Sequence, residues 1–190
     1  MTRGWSRRSL RSRGSTAALG GHEDDVIVEL VSCFDRTTAY IRELVADLGD
    51  EEMILQPPGV PNHAAWTLGH VIHSCQAIAG ELGVSPWLPD DWESFFGYGS
   101  SPHDAAGSAY SSRDVLAAYL ADASDRLRAA LLTTDEDRLR DPLPDPKSRE
   151  VLPTTGAALL QIVCAHTAYH AGQLAAWRRA IGREPVGVFI

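Results

Sequence analysis

The chain has 190 residues and a formal charge of −8, with 44% hydrophobic and 22% charged residues, which predicts one globular domain able to bury a core. Five of the 17 basic residues (Arg3, Arg7, Arg8, Arg11 and Arg13) lie in the first 13 positions, so the rest carries 12 basic against 25 acidic side chains, a formal −13. That balance speaks against a nucleic-acid or anionic-membrane partner spread over the protein, and no apolar run approaches the roughly 18 residues of a membrane span.

Residues 1–20 are expected to form a disordered basic tail ahead of a single domain over residues 21–190. With five Arg, three Gly and no apolar periodicity, the tail cannot offset the entropy of ordering itself. Arg7-Arg8 would suit a twin-arginine signal, but Ser-Leu-Arg-Ser-Arg-Gly follows where an apolar segment is required. A cytoplasmic location is expected.

Four helices follow in the spacing. From Asp24 to Leu48, apolar residues recur at Ile27, Leu30, Phe34, Ile41, Leu44, Val45 and Leu48, and Gly49 supplies the stop. A second helix is predicted from Asn62, as N-cap, to about Leu82, stopped by Gly83. It has no charged side chain between Ala64 and Ala79, so it is expected to be buried on more than one side. Residues 84–110 read as an irregular crossover rich in Pro, Gly and Ser, with Trp87, Trp92, Phe95, Phe96 and Tyr98. Those aromatics imply a segment lying flat on the bundle, a lid, or an oligomer contact. A third helix is predicted from Ser112 to about Leu132. A linker, Asp141-Pro142-Leu143-Pro144-Asp145-Pro146, leads to a fourth, from about Thr154 to Ile181, stopped by Gly182. With no convincing strands, the expected class is all-α: an up-down four-helix bundle with long crossover connections.

The three cysteines, Cys33, Cys75 and Cys164, form no CxxC pair, so neither a disulfide framework nor a thiolate zinc site is indicated. They read as buried packing residues of a reducing compartment. The histidines carry more chemistry. His166 and His170, four apart, project from one face of the fourth helix, about 40° apart. They share that face with Leu159, Ile162, Val163, Gln173, Leu174, Trp177 and Ile181, so both point to the core. Two buried imidazoles need partners. They are either satisfied within the core or bind a divalent metal, for which neutral imidazole is the commonest ligand. A third ligand would come from another helix, with His70 the best candidate, since Asn62, Trp66 and His70 follow at four-residue steps. On a helix apolar nearly all round, either side can face the centre. Ligation by all three predicts nitrogens roughly 3–3.5 Å apart. Cys164 is turned about 160° from His166 and Cys75 about 140° from His70, which keeps both thiols out of the ligand set.

Asn62-x3-Trp66-x3-His70, followed about a hundred residues later by His166-x3-His170-x-Gly172-Gln173-Leu174, resembles the signature of the DinB/YfiT-like superfamily. The resemblance runs from about residue 24 to 182. It implies a four-helix bundle and a single divalent metal ion, zinc or nickel, bound by His70, His166 and His170. His63, His73 and Gln173 are neighbours outside that triad, and the Arg-rich start and the aromatic-rich 84–110 segment are not part of the family pattern. It further implies activation of a low-molecular-weight thiol for S-transfer, with metal-dependent hydrolysis as the second reaction type. Three His ligands with open positions describe a catalytic site. Thr167 stands where the His-Glu-x-x-His pattern needs its Glu, so no acid/base residue is marked and the catalytic residues are unassigned. The alternative is a non-enzymatic metal-binding stress-response protein whose bundle the ion only stabilises. The expected partners are a small-molecule substrate and a second copy of the chain in a homodimer.

Overall fold

The computed structural model describes residues 24–103 and 110–187. The expected tail, residues 1–20, lies outside them. Helix α1 spans Asp24–Val45, a one-turn helix α2 covers Asp50–Met53, and α3 runs Ala64–Glu81. A short α4 (Trp92–Phe96) precedes α5 (Arg113–Leu132). A 3-10 turn, Glu136–Arg140, and α6 (Pro146–Val151) lead to a last rod: α7 (Thr155–Leu159), a π-helical stretch (Leu160–His166) and α8 (Thr167–Ala180). Among the described residues there is no strand, only one isolated bridge between Pro142 and Thr154. The all-α expectation is met.

Local chemistry sets the ends. The predicted cap of α3 was Asn62, but His63 fills that position, its Nδ1 accepting the Trp66 N–H as an Asn oxygen would. Gly83 and Gly182 terminate α3 and α8 at φ of +88° and +82°, backbone that other residues enter at a penalty. Residues of all four rods meet in the centre: Phe34, Ile41 and Leu44 of α1, Leu68 and Ile72 of α3, Leu116, Leu120, Leu127 and Leu131 of α5, and Leu159, Val163, Leu174 and Trp177 of the last rod. Every residue from His63 to Ile72 is buried, so the first half of α3 is covered on all sides. This is the structural meaning of its missing charges.

The connection after α3 does the covering. Trp87 and Leu88 donate their N–H groups to Gln76, Trp92 Nε1 donates to the Gly69 carbonyl, and Trp66 Nε1 donates to Ser100. Tyr110 packs edge-on against His63. The chain therefore retraces α3 from its end to its beginning, and α5 starts beside the start of α3 and runs parallel to it. At the same end, Arg113 at the start of α5 donates to the Ala46 and Leu48 carbonyls beyond α1, while Arg178 in α8 donates to Leu44 and Asp47. Thus α1 runs with the last rod and against α3 and α5. A strict up-down alternation is replaced by an up-down-down-up order, and this accounts for the length of the crossover: it must return over the roughly 27 Å of an 18-residue helix.

Two features of the connections differ from expectation. Residues 84–110 contain α4, and the linker before the last helix contains a 3-10 turn and α6. The crossover aromatics mostly pack down: Trp92 and Phe96 are buried, Trp87 and Phe95 lie against the core, and Tyr98 alone is fully exposed.

Candidate metal centre

Facing positions of α3 and the last rod bring three imidazoles together. His70 Nε2 and His170 Nε2 each lie 3.1 Å from His166 Nε2, and all three nitrogens fall within 4.8 Å of one another. Tetrahedral bonds of about 2.05 Å to a common ion place nitrogens roughly 3.3 Å apart. The cluster is a group that could hold a metal ion, and among the described residues no Cys, Asp or Glu joins it.

Hydrogen bonds on the outer nitrogens decide which atoms face inward. His70 Nδ1 donates to the Phe96 carbonyl at 2.6 Å, an acceptor only, so its Nε2 carries a lone pair. His170 Nδ1 donates to Gln173 Oε1 at 2.8 Å, with the same consequence. Two lone pairs thus point at His166 Nε2. A single proton there could satisfy one of them, whereas a cation at the centre satisfies all three nitrogens. Such outer hydrogen bonds are what orients metal-ligating imidazoles. The donor set, three neutral imidazole nitrogens, fits a divalent transition-metal ion.

Burial keeps the imidazoles neutral, as ligation requires. It pushes His166 down to about 4, helped by the neighbouring His70, and His170 down to about 3, helped by His166 and His70. His70 is lowered by burial against the opposing bond to Phe96. Its ring is also stacked on Trp66, 4.8 Å between centroids at 9°. A hydrogen on Gly69 makes this possible: a Cβ there would sit 2.2 Å from the Phe96 ring, the residue whose carbonyl holds His70.

The π-helical stretch ends at His166 and widens the rod one turn before it, with the Thr167 hydroxyl donating to the Ile162 carbonyl five residues back. Sequence reasoning missed it because His166 and His170 sit four apart whether or not the preceding turn is α-helical. Also missed was the setting of His70 by a backbone carbonyl, which no side-chain pattern encodes. Cys75 is fully buried and its thiol is pushed up to about 12 by that burial. Cys164 is only half-buried but packs against the core, and burial with Cys33 of α1 nearby pushes its thiol up to about 11. Trp177 is buried in the core, its Nε1 donating to the Leu55 carbonyl.

Beside His70 and His166 opens a cavity of about 610 Å³ that also reaches His73, Ser74 and Gln161. An all-helical bundle with a histidine trio on facing helices defines the class: a helical-bundle protein with a candidate metal centre in its core. The match of the DinB superfamily model to residues 34–174 places the chain in that superfamily. The structure is also similar to the crystal structure of a conserved protein from Enterococcus faecalis, with a TM-score of 0.69 at 21% identity over 83% of this chain and 98% of that one. This likeness extends to the fold. No curated protein matches the chain.

Proposed function

We propose that His70, His166 and His170 bind one divalent ion, zinc or nickel, and that the protein is a metal-dependent enzyme activating a water or a low-molecular-weight thiol, of S-transferase or hydrolase type. The observation that carries this reading is the convergence of three Nε2 atoms, two of them held unprotonated by outer hydrogen bonds to Phe96 and Gln173. A bound ion supplies Lewis acidity and lowers the pKa of a coordinated water or thiol toward neutrality. The chain's own residues orient the imidazoles, keep them neutral, and leave His70 and His166 exposed to a cavity that admits a small molecule. That opening favours the enzyme over a purely stabilising ion, because three protein ligands leave a position for substrate. A small-molecule partner, a homodimeric assembly and a cytoplasmic location belong to the same proposal; Tyr98 is the exposed crossover aromatic available for a dimer contact.

Protein purified without a nickel column is expected to carry one equivalent of metal by elemental analysis, and His166→Ala to lose it while keeping its helical circular dichroism. A screen of thiols against electrophiles then separates the enzyme from a non-catalytic metal-binding bundle. A metal-free wild type that gains none on dialysis against zinc or nickel would end the reading.

A further inference from the structure

The cavity beside the histidine cluster has mostly apolar walls. It begins at His70 and His166, passes Ile78, Leu143, Leu152 and Ile162, and reaches Glu81, eleven residues further along α3, roughly 16 Å away. Its volume, about 610 Å³, suits one small organic molecule. The single lysine of the chain, Lys147, stands on this wall with Asp145 and Glu81, so the charged residues there are net negative. Val151 also lines the cavity at 79% exposure, and the fully exposed Tyr98 flanks it, two large apolar side chains left to water.

We propose that this cavity binds an uncharged, largely apolar small molecule, whose polar, reacting end lies against His70 and His166. The walls can bury an apolar body, and they offer an anionic molecule no net counter-charge. An acidic thiol is therefore a poor fit for the cavity, and the apolar molecule is the electrophile or hydrolysable substrate of the reaction proposed above. The identification as substrate rests on that reading; the binding preference does not.

N-phenyl-1-naphthylamine and its sulfonated analogue, 8-anilinonaphthalene-1-sulfonate, share one aromatic skeleton and differ by a negative charge. Fluorescence titration of the full chain, with and without chelator, should show the neutral probe binding one equivalent at least tenfold more tightly than the sulfonate in both states. Ala77→Trp, which fills the cavity from an exposed position of α3, should weaken the neutral probe at least tenfold. Val151→Arg, at an exposed site remote from the core, should shift the preference toward the sulfonate. Equal affinity for the two probes, no saturable binding, or unchanged binding in both variants would overturn the proposal. Probe binding intact in a protein that holds no metal before chelation and takes up none on dialysis would instead fault the metal reading alone.

Discussion

His63 is a titratable cap. Its Nδ1 must be unprotonated to accept the Trp66 N–H, and burial pushes its pKa down to about 4. Unfolded, it titrates near 6.5, so between those values the unfolded chain binds the extra proton. The stability it contributes is fully present above about pH 6.5 and is lost as pH falls toward 4. His63→Asn keeps a cap acceptor without the titration. Urea denaturation from pH 7 to 4 should therefore show a shallower loss of stability in that variant, by up to one proton in slope. Gly69 is the second residue with a defined penalty. Gly69→Ala drives a methyl into the Phe96 ring, and should destabilise the fold by about 1–3 kcal/mol. Because the Phe96 carbonyl sets His70, the same substitution should weaken zinc binding in a competition titration, whereas Gly80→Ala, with open space around it, should do neither.

At the scale of elements, the four rods were legible because apolar spacing agrees at both levels and Gly83 and Gly182 stop their helices. The expected stop at Gly49 is instead the N-cap of α2, and α1 ends earlier, at Val45. The His70, His166 and His170 set was legible through its spacing and family signature, although the two buried sides of α3 left its orientation undecided until Trp66 and the crossover were seen around it. Unreadable were α4, which has no side-chain cap and only five residues, and the parallel direction of α3 and α5, which depends on where the crossover lies. The π-helical stretch was equally hidden. It has a testable consequence: removing Leu160, an exposed residue, restores α-helical count and turns everything after it by about 100° relative to α7. Such a deletion should abolish metal binding while the far-ultraviolet helical signal largely persists.

Over the whole molecule, the end of α1 is tied to the end of α8 by charge. Arg178, almost wholly buried, donates to the Leu44 and Glu184 carbonyls and pairs with half-exposed Asp47, while Arg183 pairs with Glu52. The hydrogen bond from Arg178 holds the Asp47 carboxyl down to about 2. Its contribution is present above the unfolded value near 3.8 and fades as pH falls toward 2. Asp47→Asn should accordingly melt below the wild type at neutral pH, with the gap closing between pH 4 and 2 in thermal scans. Chelation acts on the same global stability: an ion at 100 times its Kd adds about 2.7 kcal/mol, so stripping the proposed ion should lower the melting temperature, and His170→Ala should melt alike with and without chelator.

The crossover has one further consequence. Phe96 offers its carbonyl to His70, and Tyr98, two residues on, borders the cavity. One short stretch of backbone thus faces two occupants. To the extent that a guest drawing Tyr98 inward shifts the carbonyl that aims an imidazole, the guest and the ion are coupled. Reciprocity then leaves no choice of direction: whatever factor the ion imposes on the affinity of the guest, the guest must impose on the affinity of the ion.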